Sequence, residues 1–80
     1  MDRKILLIVN LRYLKSRLGD VLRELESLRD NVDSVEIRGL IENAINMVRN
    51  VVHIVENALD VALSQIQQSQ HLQQVGESHQ

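Results

Sequence analysis

The chain has 80 residues and a formal net charge of −2, and it contains no cysteine, no proline and one aromatic residue, Tyr13. The lack of cysteine excludes a disulfide framework, a thiolate zinc site and thiol chemistry, and it is compatible with the cytoplasmic location that we expect. So few turn-forming and aromatic residues argue against a β domain. A chain of this length forms one small domain, so we expect an all-α fold.

An apolar run of five residues, Ile5 to Val9, opens the sequence. Five residues are too few for a membrane span or for the apolar core of a signal peptide, so we expect no membrane partner. Only Leu7 of this run fits the heptad pattern that follows. Ile5, Leu6 and Val9 are therefore a candidate docking patch for another protein. The preferred reading is that these residues cap the open end of a helical bundle. The remaining alternatives are docking of a further copy of the dimer, a short strand and contact with a membrane surface.

A first helix is predicted from about Arg3 to Asn31 by apolar residues whose spacing alternates between four and three. The residues that share this spacing are Leu7, Leu11, Leu14, Leu18, Val21, Leu25, Leu28 and Val32. Such spacing is typical of a helix that buries one narrow seam against a neighbour. The remaining positions are mostly polar or charged, so we expect an outer helix with a single buried seam.

The first helix is expected to end between residues 30 and 34, because the apolar pattern changes register there by two residues. No common heptad interruption repairs an offset of two. Asp33 with Glu36 three positions later fits a capping box, and Ser34 is a competing N-cap. These features favour a helical hairpin. One continuous helix with a skip in its heptads stays open as the alternative, because the junction contains neither Pro nor Gly.

A second helix is predicted from about residue 35 to 67, with apolar residues at four of every seven positions between Leu40 and Ile66. This stripe is wider than one neighbouring helix covers. We therefore expect an antiparallel hairpin that dimerises into a four-helix bundle. The central positions of the stripe form the predicted core and dimer interface: Ile41, Ala44, Val48, Val51, Val55, Ala58 and Ala62.

The sequence becomes polar and rich in glutamine after Leu63. We expect the helix to fray there, which divides the chain into a helical hairpin domain at 1–68 and a disordered tail at 69–80. The tail is interpreted as a solubilising segment or as one that folds on a partner.

Basic residues are concentrated at the start of the chain, where Arg3, Arg12 and Lys15 are possible nucleic-acid contacts. The net charge of −2, the pI near 5.8 and the single aromatic residue disfavour this reading. Nucleic-acid binding is therefore the alternative function, and partial neutralisation inside the bundle is the preferred account of these charges.

Chemical signatures are weak throughout the sequence. His53 with Glu56 and Asp60 follows helical spacing, but we interpret these residues as a solvated face rather than a metal site. No catalytic set can be assigned, and we expect no cofactor and no enzyme activity. The sequence predicts a non-enzymatic homodimeric interaction module that binds another copy of itself and another protein, as an adaptor, scaffold or regulator of a complex.

Overall fold

The computed structural model describes residues 2–78, and the side chains of residues 2–68. It contains two helices, α1 (Arg3–Asn31) and α2 (Val35–Ser78), which pack against each other along the length of α1. The predicted all-α hairpin is confirmed, and the continuous helix is not formed. The start and end of α1 and the start of α2 agree with the prediction.

The start of α1 is fixed by Asp2. Its carboxylate accepts a hydrogen bond from the backbone N–H of Lys4 at 2.9 Å, and its carbonyl oxygen accepts the first helical bond from Leu6 at 3.0 Å. An acidic N-cap satisfies a free N–H group and also interacts favourably with the positive end of the helix dipole. Asp2 therefore determines where the helix begins.

The turn between the helices is closed by polar contacts around Val32 and Ser34. Val32 is extended, with φ of −98° and ψ of 129°, which ends α1. The guanidinium of Arg38 donates to the carbonyl oxygen of Val32 at 2.7 Å. The Ser34 hydroxyl accepts from the N–H of Ile37 at 3.2 Å, and the Ser34 carbonyl accepts from Arg38 at 2.9 Å. Ser34, rather than Asp33, is therefore the N-cap of α2.

Helix α2 ends at Ser78, beyond the end near residue 67 that the sequence predicts. The physical reason is that glutamine is a good helix former and that no proline follows to stop the helix. Residues 69–78 of the predicted tail therefore have helical backbone, and residues 79 and 80 lie outside the described residues. At 1.5 Å per residue α1 measures about 44 Å and α2 about 66 Å, so the end of α2 projects past α1 in a molecule 70 Å long.

The buried core of this hairpin is small. Ile8, Ile45, Val55 and Ala62 are its buried apolar residues, and no polar side chain in the described range is buried. The chain exposes 6483 Å² of surface, whereas a compact monomer of this mass exposes roughly 4,900 Å². Two helices alone thus leave much apolar surface in water.

The choice of Ser34 over Asp33 as N-cap predicts different effects of replacing them. Ser34→Ala removes the hydroxyl that accepts from Ile37 and is expected to lower the free energy of unfolding by about 1 kcal/mol. Asp33→Ala leaves that hydrogen bond intact, so it is expected to lower the free energy of unfolding by only a few tenths of a kcal/mol. Urea unfolding followed by circular dichroism measures both. A larger loss for Asp33→Ala would contradict the assignment.

Candidate interaction surface

The contact between the helices uses two rows of α2 that are offset by four residues. Ile45, at 2% exposure, is the most buried side chain. Every described member of the two rows is buried or half-buried: Ile41, Val48, Val55 and Ala62 in the first, and Ile45, Val52, Leu59 and Ile66 in the second. The matching positions are Leu11, Leu18 and Leu25 on α1 and Val32 at its C-cap, with Ile8 and Leu22 beside them. These residues form the hairpin core.

One edge of the hairpin core is closed by ion pairs between the helices. Lys15 Nζ lies 3.3 Å from Glu56 Oε2, and Arg49 Nη2 lies 3.7 Å from Glu26 Oε2. We call this side the polar edge. The two pairs also define the register of the hairpin, because they place residue 15 beside 56 and residue 26 beside 49.

The opposite edge carries only apolar rows. The residue four positions after Leu11 is Lys15, which lies on the polar edge. The residue three positions after Leu11 is Leu14, which lies on the other side of the helix. Steps of three from the Val48 row of α2 likewise lead away from Arg49 and Glu56. The rows reached in this way form one continuous surface, the open face: Leu7, Leu14, Val21 and Leu28 on α1, and Leu40, Met47, Val51, Ile54, Ala58 and Val61 on α2.

The open face is large for a surface exposed to water. Its nine side chains other than Ala58 are 41% to 69% exposed. Together they present roughly 900 Å² of accessible surface, more than the apolar patches of a typical monomer and close to what one partner contributes to a stable protein interface. This surface is therefore the strongest candidate for a functional site.

The seven predicted interface residues are divided between the two surfaces. Val55 and Ala62 are buried, and Ile41 and Val48 are half-buried, so these four lie in the hairpin core. Ala44 is half-buried and belongs to the row of Val51 and Ala58, at the border between the hairpin core and the open face. Val51 and Ala58 lie on the open face. Sequence reasoning left the row of Leu40, Met47, Ile54 and Val61 out of the interface, although its regular spacing of seven residues is the signal that identifies it.

The predicted docking patch is exposed in the structure. Ile5, Leu6 and Val9 keep about half of their surfaces in water, and their positions on α1 lie outside both the hairpin core and the open face. The patch is thus a separate apolar surface at one end of the hairpin.

The three basic residues proposed as nucleic-acid contacts do not share one side of α1. Arg3 and Arg12 are nine residues apart, which places them on opposite sides of a helix. Arg12 and Lys15 line an open groove of about 410 Å³ on the polar edge, together with Ser16, Gly19, Arg23 and Leu59. Two cations of this groove already have acidic neighbours, since Lys15 pairs with Glu56 and Arg23 with Asp20.

The His53 cluster gives no metal centre. His53 Nδ1 lies 3.6 Å from Glu56 Oε1, and Glu56 also pairs with Lys15. In the described part of the chain, no three histidine or acidic side chains converge in a way that would hold a metal ion.

No described helix has a stretch long and apolar enough to cross a membrane. Comparison of the chain with protein-family models, with curated proteins and with solved structures finds no match. The function is therefore inferred from the surfaces of this chain alone.

The polar edge predicts a measurable coupling between Lys15 and Glu56. In a double-mutant cycle with Lys15→Ala and Glu56→Ala, the coupling free energy of unfolding should be about 0.5 kcal/mol at low salt, typical of a partly exposed pair. It should disappear in 1 M salt because the charges are then screened. Zero coupling at low salt would show that this pair does not stabilise the hairpin register.

Proposed function

We propose that this chain is a non-enzymatic helical interaction module that works as a homodimer. The open face of one hairpin packs on the open face of a second copy, and the product is a four-helix bundle. The observation that carries this proposal is the apolar open face itself, which runs along both helices with heptad spacing. Burying it on both copies removes roughly 1,800 Å² from water, which is the size of a standard stable interface.

A second copy fits the open face better than an unrelated apolar ligand. Seven-residue spacing on both helices is the pattern by which helices pack side by side with interlocking side chains. The surface is long and extends along both helices, whereas small-molecule sites are concave and enclosed. A matching helical hairpin is the occupant that covers its whole length, and a copy of this chain supplies one.

An adaptor or scaffold role adds a further protein to this dimer. The patch of Ile5, Leu6 and Val9 stays outside the proposed dimer interface, so it remains accessible in the bundle. We propose that the dimer displays two such patches, one from each copy, to a second protein.

Light scattering on a size-exclusion column tests the dimer. The wild-type chain is expected to have twice its mass of 9.2 kDa at micromolar concentration. Ile54→Glu places a charge in the middle of the open face, and burying it without a partner is costly. This variant should therefore elute with the mass of a monomer.

Asn46→Glu is the matched control. It adds the same charge to α2 at an exposed position outside both the hairpin core and the open face, so it should keep the dimeric mass. A wild-type monomer at high micromolar concentration, with full helix content, would refute the proposed function. Equal dissociation of both glutamate variants would show that charge alone, rather than the open face, controls assembly.

A further inference from the structure

We infer that the two copies are related by a two-fold axis that crosses the helices, so that α1 packs antiparallel on α1 of the second copy and α2 on α2. The hairpin turns then lie at opposite ends of the bundle. This inference rests on the proposed homodimer and assigns its geometry. The other two-fold arrangement places α1 against α2 of the second copy, with both turns at the same end.

The first support is the charge pattern beside the open face on α1. The row next to Leu7, Leu14, Val21 and Leu28, again with spacing of seven, contains Arg3, Asn10, Arg17, Glu24 and Asn31. From Asn10 to Asn31 this row reads polar, positive, negative, polar in one direction and polar, negative, positive, polar in the other. When two such rows run antiparallel, Arg17 lies beside Glu24 of the second copy and Asn10 beside its Asn31. From Asn10 to Asn31 the row is therefore complementary to itself only in the antiparallel direction, and Arg3 lies beyond the end of α1 of the second copy.

Within the hairpin, the described contacts leave this charge pair available. The guanidinium of Arg17 donates to the Tyr13 hydroxyl at 3.4 Å and lies over the Tyr13 ring, on its own helix. In the described part of the chain neither Arg17 nor Glu24 takes part in an ion pair.

The second support is the packing that this axis gives α2. In antiparallel helices a core layer pairs the two alternating heptad positions. With the axis midway between Val51 and Ile54, these two residues pack on each other across the copies. The next layers pair Met47 with Ala58, and Val61 with Ala44. These two layers each place a larger side chain opposite an alanine, as an interlocking core needs, and the outermost layer pairs Leu40 with Gln65.

The flank of the open face on α2 is also compatible with its own copy. The row beside Met47 and Ile54 consists of Asn43, Asn50, Asn57 and Ser64. Because these side chains are uncharged, two copies of α2 approach without like-charge repulsion, and amide groups both donate and accept hydrogen bonds. In the other arrangement this neutral row would lie beside Arg17 and Glu24, which would gain no opposite charge.

The third support is that a single two-fold axis is consistent with the charge pairing on α1 and with the packing on α2. Pairing Arg17 with Glu24 places the axis between Asp20 and Val21 on α1. The ion pairs Lys15–Glu56 and Glu26–Arg49 place residue 21 level with about residue 52 of α2, by interpolation along helices of equal rise. This is the point between Val51 and Ile54 about which the α2 layers described above are arranged.

Single cysteine variants test the axis, because the natural chain has no cysteine. Val21→Cys places two thiols beside each other across the axis, so mild oxidation should link the dimer covalently on a non-reducing gel. Leu14→Cys is the matched control on the same row. Its two thiols would be about 20 Å apart along the bundle, beyond the reach of a disulfide, and should not link within one dimer.

Charge reversal provides a second measurement that needs no cross-link. Arg17→Glu and Glu24→Arg should each raise the dimer dissociation constant about tenfold, because each creates two like-charge contacts per dimer. The double variant Arg17→Glu with Glu24→Arg should return close to the wild-type constant. Sedimentation equilibrium measures all four proteins.

The outcomes separate the two proposals. The antiparallel axis is overturned, and the homodimer is kept, if the chain forms a stable dimer, Val21→Cys does not form a disulfide across it, and the effects of the two charge reversals on the dissociation constant add instead of cancelling. A wild-type chain that is monomeric at every concentration overturns both.

Discussion

The width of the apolar stripe on α2 is the constraint on which the rest of the structure depends. Between Leu40 and Ile66 four of every seven residues are apolar, and a single neighbouring helix covers only about half of that width. Helix α1 covers the rows of Val48 and Ile45. The rows of Val51 and Ile54 remain in water, and they are continuous with an apolar row of α1. Folding of one chain therefore completes one contact surface and creates another.

The two edges of the hairpin have different roles. The polar edge has ion pairs of modest strength that fix which residues of α1 lie beside which residues of α2. The open face has nearly all of the exposed apolar area outside the chain termini and the turn. Since a small hydrophobic core gives little stability to a chain of this size, burial of the open face by a second copy would supply most of the missing core.

Much of this architecture was predictable from the sequence. The register change at residues 30 to 34 locates the turn, and the heptad spacing gives both helices. Two features were not predictable for physical reasons. The helix continues past residue 67 because glutamine does not stop it. The sequence does not determine which rows of α2 contact α1. When four of every seven positions are apolar, either side of the apolar stripe can pack against the neighbouring helix. Only contacts distant in sequence, such as Lys15 with Glu56, decide between the edges.

If a second chain supplies half of the apolar core, the stability of the fold depends on protein concentration. The most direct measurement is urea unfolding of the wild-type chain, followed by circular dichroism, over a hundredfold range of concentration. We expect the urea concentration at the midpoint of unfolding to rise steadily with protein concentration, because folding and association are coupled. A midpoint that stays constant over the whole range would show that the hairpin is stable alone with its open face in water, and would contradict the central claim.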